Sequence, residues 1–200
     1  MLIAYMAVLG ISALIGCYVA WTEFNSFIGN IGRGAPVILL AANITTLVAV
    51  PMTILYLMWL YRAVANLYDL RLDGLKYTPG WTVGSYFIPL VNMVMPFLTM
   101  RQLYNRSHGE IPELADSSVD QASSWWACVI AGGALQAAWT MLLFVDSIPF
   151  VFVIMPPWSH TLLLILSQLL GLGASWFLFK LVGSITDAQR SGALVVDAFA

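Results

Sequence analysis

Five stretches of this chain carry no formally charged residue: Met1–Thr22, Gly34–Tyr61, Tyr77–Met100, Gln121–Val145 and Ser147–Phe179. Crossing a bilayer as a helix takes about 20 mostly apolar residues, so each stretch is long enough. Only 9% of the 200 residues are charged and 60% are hydrophobic, against roughly 25% charged in a typical soluble chain. The chain therefore reads as a small polytopic membrane protein, one integral membrane domain over residues 1–200. A soluble enzyme and a disulfide-stapled secreted domain are excluded. A net charge of −2 offers no basic surface for nucleic acid. Cys17 and Cys128 each sit inside an apolar run and read as small packing residues. Leu14-Ile15-Gly16-Cys17 is similar to a lipobox, yet no Lys or Arg precedes it, as a secretory leader would need.

The fold class is all-α, with four transmembrane helices at about residues 2–21, 37–60, 124–145 and 159–183. Pro36 suits the first turn of the second helix, where its missing N–H costs nothing. That helix meets no breaker after Leu60 and should project two or three turns beyond the membrane, through Asp69. Residues 81–100 differ from the other apolar runs, because Gly84, Pro89, Asn92 and Pro96 interrupt them. Proline removes a backbone donor and clashes with a preceding carbonyl, so a straight lipid-exposed helix is not expected there. The expectation is a Pro/Gly-broken hairpin, re-entrant or interfacial. A polar linker over 101–123 follows, with Glu110, Glu113, Asp116 and Asp120 in its distal half. A proline-rich turn with an apolar insert, Phe150–Met155, precedes the fourth helix, and a short tail is expected from Ser184.

Charge arithmetic bears on whether 81–100 crosses. The basic residues are Arg33, Arg62, Arg71, Lys76, Arg101, Arg106, Lys180 and Arg190. Five crossings divide these eight residues five to three between the two sides, whereas four crossings divide them seven to one, with Arg33 alone. Cytoplasmic loops carry the excess of Lys and Arg. Four crossings with both termini in the cytoplasm fit that rule better.

One pattern is long and specific. Trp59-x-x-Arg62-x-x-x-Asn66-Leu67 is followed by Thr78-Pro79-Gly80-Trp81-x-Val83-Gly84-x-x-Phe87-Ile88-Pro89-x-x-Asn92-x-x-x-Pro96 and Met100-Arg101. From about Tyr56 to Ser107 the chain closely resembles a family of bacterial membrane proteins, domain of unknown function 4328. It departs from that family at Ser85 and Met95, where a second aromatic and a basic residue are frequent, which implies a less cationic hairpin. The resemblance implies a multi-helix protein of the bacterial cytoplasmic membrane and carries no activity with it.

At 100° per residue, Trp59, Arg62, Asn66 and Asp69 fall within roughly an 80° arc of one helix. An aromatic, a guanidinium, an amide and a carboxylate thus form a stripe at the expected membrane edge, which Trp81, Asn92 and Arg101 of the hairpin could join. A structural use is one expectation: Arg62 and Asn66 bond carbonyls freed by Pro89 and Pro96, and Asp69 pairs with a base. The functional expectation is capture of a lipid headgroup or phosphate, which guanidinium binds bidentately. Transport has little support, since ionisable residues within spans normally mark ion pathways. The uncharged polar residues Asn43, Thr45, Thr46, Thr53, Gln136, Thr140, Ser167 and Gln168 suit interhelical hydrogen bonds. His108 and His160 fall on opposite faces, no metal motif is present, and no serine has a histidine partner, so no catalytic residue, metal or cofactor is assigned. Gly133-x-x-x-Ala137 and Gly171-x-x-x-Ser175 place small residues where helices can approach closely.

The leading expectation is a non-enzymatic accessory or interaction subunit of a larger membrane complex, with a protein partner or a second copy of itself. The alternative is a lipid-headgroup-binding or lipid-acting protein using Trp59, Arg62, Asn66, Asp69, Trp81, Asn92 and Arg101. A small-solute channel is the third reading. Membrane lipids are partners in all three.

Overall fold

The computed structural model describes residues 35–72, 74–110, 119–146, 148, 156 and 158–199. The expected first helix (2–21), the distal linker with Glu113 and Asp116, and the Phe150–Met155 insert lie outside the described residues. Among the described residues every regular element is a helix, with no strand. Three helices are long and apolar: α1 (Ala35–Asp69), α4 (Asp120–Asp146) and α5 (Trp158–Phe199). Each contains a window long and apolar enough to cross a membrane. Between them lie two short helices, α2 (Pro79–Gly84) and α3 (Met95–Ser107).

The lengths themselves are informative. At 1.5 Å per residue the 35 residues of α1 extend for about 52 Å and the 42 of α5 for about 63 Å. A hydrocarbon core is only about 30 Å thick. Both helices therefore continue well past any span, as expected for the second helix but not for the fourth. The expected tail from Ser184 is helical to Phe199. Gly183 alone costs a helix only about 1 kcal/mol, and Leu181 and Ile185, one turn apart on either side of it, are both fully buried.

The described residues divide into two compact units. One takes in the described parts of 1–52 and 127–175. In it α4 and α5 approach closely: a Cβ added at Gly132 would meet the Leu170 Cβ at 3.2 Å, and one at Gly173 would meet the Cys128 Sγ at 3.3 Å. Sequence spacing had pointed to Gly133, whose added Cβ would meet open space. One residue turns the helix by 100°, so the small residue that matters is the neighbour. Ser167 donates to Gln136 Oε1 at 3.0 Å, the interhelical use expected of both.

The second unit takes in the described parts of 53–126 and 176–200. Its core is a helical stripe of α1 (Leu60, Ala63, Val64, Leu67) with Met100 and Leu103 of α3, Val119, Ala122 and Trp125 around the start of α4, and Leu181 and Ile185 of α5. α1 stops at a left-handed residue, Arg71 (φ 51°), and the Leu72 N–H returns to the Leu67 carbonyl. α3 stops the same way at Gly109 (φ 78°), with the Glu110 N–H on the Asn105 carbonyl. Both are six-to-one closures of a helix end. The expected polar linker from residue 101 is thus helical through Ser107, because nothing before Gly109 breaks the pattern.

Candidate functional site

The Pro/Gly-broken segment is built from three interruptions. Thr78 accepts the Trp81 N–H on its Oγ1 at 3.3 Å and Pro79 follows, so α2 starts with a side-chain cap and a proline in its first turn. A 3₁₀ turn over Ser85–Phe87 ends before Pro89, and a second over Val91–Met93 ends before Pro96. The chain then returns through α3. The Lys76 N–H reaches Gln102 Oε1 at 3.1 Å, so the outgoing and returning legs meet. At the bend, Phe87 is 73% exposed and Leu90 82%, with Ile88, Met93 and Val94 also exposed.

The carbonyls around the bend find partners that differ from the expected ones. Trp126 donates its indole N–H to the Met93 carbonyl at 3.0 Å, and the Thr99 hydroxyl bonds the Met95 and Pro96 carbonyls. Neither Arg62 nor Asn66 does this. The Asn66 amide instead donates to Gln189 Oε1 at 3.0 Å. Gln189 in turn donates to the Ala63 carbonyl at 2.9 Å and the Ser107 hydroxyl at 3.0 Å. One glutamine thereby ties together α1, α3 and α5. Sequence reasoning missed it because the fourth helix was expected to end at about Gly183, which left Gln189 in a short tail; the signal was an apolar period running through Leu181 and Ile185.

Aromatic side chains collect one turn before the stripe. The Tyr56 ring lies 6.2 Å from Trp59, 5.9 Å from Tyr86 and 6.4 Å from Trp125, and Trp125 lies 5.2 Å from Trp126. The two tyrosine hydroxyls are 2.8 Å apart. Burial raises the Tyr86 phenol well above its usual pKa, against a smaller lowering by its bond to Tyr56, so it stays protonated.

Arg62 stands apart from this network. It is exposed on α1, and it makes no hydrogen bond, ion pair or ring contact with any described residue. It borders an apolar groove lined by Ile54, Leu57, Met58, Tyr61 and, from α2, Val83. Of the other expected site residues, Trp59 is half-buried against Tyr56, and Asp69 is exposed at the last residue of α1. Trp81 is 44% exposed. Asn92 is half-buried, its backbone N–H on the Ile88 carbonyl at 2.8 Å. The Arg101 guanidinium lies over the Phe97 ring at 5.6 Å. The helix thus brings Trp59, Arg62, Asn66 and Asp69 into one stripe, but no bond joins Arg62 to Trp81, Asn92 or Arg101.

His108 bonds the Tyr104 carbonyl through Nδ1 (2.8 Å) and the Ser184 hydroxyl through Nε2 (3.0 Å). The carbonyl can only accept, so Nδ1 is the donor in the bond to Tyr104. Both ring nitrogens are engaged in joining the end of α3 to α5. Among the described residues no group of three or more His, Cys, Asp and Glu could hold a metal ion.

Residues 33–187 match the model of a family described as "Domain of unknown function (DUF4328)". No curated protein and no solved structure matches the chain.

Proposed function

We propose, for a chain that belongs to the DUF4328 family, a non-enzymatic role at the cytoplasmic face of a bacterial inner membrane: binding lipid headgroups through the C-terminal end of α1. In this reading the protein crosses four times, both termini are cytoplasmic, and residues 81–100 form a re-entrant hairpin that enters and leaves on that face. The meeting of Lys76 with Gln102 supports the hairpin, since its two ends lie side by side. Its exposed apolar bend supports contact with lipid. Irregular backbone at membrane depth must be covered by protein, and Trp126 and Thr99 supply partners for its carbonyls.

The observation that carries the function is the guanidinium of Arg62, which has no partner among the described residues. Tyr56 lies six residues earlier, about 9 Å along the helix axis, in a cluster with Trp59, Tyr86 and Trp125. Tyr and Trp gather at headgroup level in membrane proteins. Helical side chains tilt toward the helix N-terminus, here back toward that aromatic layer. A long arginine above such a layer reaches lipid phosphates and binds them with two parallel hydrogen bonds.

Purification from native membranes in a mild detergent, with mass spectrometry of co-purifying lipids and proteins, tests the reading. A retained anionic phospholipid, lost in Arg62→Gln, is the expected result. A stoichiometric partner protein with no retained lipid contradicts it and favours an accessory subunit.

A further inference from the structure

The groove beside Arg62 allows the ligand to be specified, on the premise that the headgroup reading is correct. Ile54, Leu57, Met58 and Tyr61 line it along one face of α1, Val83 of α2 forms the opposite wall, and its volume is about 350 Å³. Ile54 precedes Arg62 by eight residues, so the groove follows α1 for about 12 Å. Apart from the Tyr61 hydroxyl, its side chains are apolar until Arg62. Arg62 is the lining residue nearest the terminus of α1, and the apolar lining residues extend toward the middle of that helix. A phospholipid has the same polarity along its length, with phosphate outermost and hydrocarbon inward.

We infer that the groove holds one acyl chain of an anionic phospholipid whose phosphate is bound by Arg62. Charge decides among occupants. A transmembrane helix from a second copy would fill the apolar walls but leave the guanidinium without a counter-charge. A free phosphate would satisfy Arg62 but leave the walls bare. A volume of about 350 Å³ is near the lower end of ligand sites, roughly 300–1,000 Å³, which suits part of one chain and not a whole lipid. Met58 is 53% exposed and Tyr61 50%, so the site opens sideways and a lipid can exchange from the leaflet.

The full chain, reconstituted in phosphatidylcholine bilayers, is probed with spin-labelled phosphatidylglycerol or phosphatidylcholine, and the motionally restricted fraction gives relative association. Wild type is expected to prefer phosphatidylglycerol about fivefold, the value of one basic side chain facing an anionic lipid. Arg62→Gln should bring the preference close to one. Met58→Trp keeps the cation and fills the groove, and its exposed position lets the indole be accommodated without disturbing the core; it should also lose the preference. Met141→Trp, on an exposed position of α4, should retain it. A preference lost in Arg62→Gln but kept in Met58→Trp leaves the headgroup reading intact and overturns the groove. A preference that survives Arg62→Gln overturns the inference at its cation. No preference in the wild type overturns both readings. Disulfide dimers formed efficiently through Met58→Cys would put a second copy in the groove and also overturn it.

Discussion

Arg62 of α1 and Gln189 of α5, which bonds α1 one residue on from Arg62, are polar side chains put to opposite uses. Gln189 spends both ends of its amide on protein: Asn66 on one side, the Ala63 carbonyl and Ser107 on the other. Gln189→Leu removes these bonds, each worth about 0.5–1.5 kcal/mol net, while the Ala63 carbonyl keeps its partner within α1. The Arg62 guanidinium makes no such bond among the described residues, so in delipidated protein Arg62→Ala should leave the melting temperature unchanged while Gln189→Leu lowers it; thermal unfolding in detergent after lipid removal checks both. Equal losses in the two variants would return Arg62 to a structural role. The stripe containing Arg62 was legible in the sequence because helical spacing depends only on residue number. Its partners were not, because whether a side chain meets protein or lipid depends on elements far away in the chain.

At the scale of elements, the interruption of residues 81–100 was also legible, since Gly84, Pro89 and Pro96 follow one another too closely for a straight helix, whereas the lone Pro51 is carried inside α1. What fills the break was not: Trp126, from the first turns of α4, supplies the donor to the Met93 carbonyl. A tryptophan expected only as part of an aromatic belt also bonds the backbone of the broken segment. Helix ends were less legible than helix cores, as α3 and α5 show. Gly109 stops α3 because the return bonds need a positive φ there, while Gly183 lies within α5 and stops nothing. On α4 the small residue that packs is Gly132, one position from the expected Gly133, whereas the expected Gly171 of α5 lies at the contact, its N 3.8 Å from a Cβ added at Gly132. Gly132→Val should therefore destabilise the α4–α5 contact, since even a Cβ meets Leu170 at 3.2 Å, whereas Gly133→Ala, facing open space, should leave stability unchanged or slightly higher. Denaturation of the two variants in the same detergent separates them. The reverse order would show that the face of α4 nearest α5 has been misassigned.

At the scale of the molecule, the described residues hold three long apolar helices that fit a multi-pass membrane protein, and the basic residues of the sequence belong overwhelmingly to one side in the four-crossing arrangement. Lys180 carries the same signature: exposed on α5 at the end of an uncharged run, it lies over the Trp176 ring at 5.1 Å. A cation resting on an exposed tryptophan suits the boundary between hydrocarbon and headgroups. Lipid binding at Arg62 requires the end of α1, both legs of the hairpin and the start of α4 to share one face of the membrane. Single cysteines at Lys76, Asp120 and Ile148 test this directly, by labelling with a membrane-impermeant maleimide in intact cells and in inverted vesicles. Lys76→Cys and Asp120→Cys should label only in inverted vesicles, and Ile148→Cys only in intact cells. Opposite labelling of Lys76→Cys and Asp120→Cys would mean that residues 81–100 cross the membrane, and would contradict the re-entrant hairpin on which the lipid site depends.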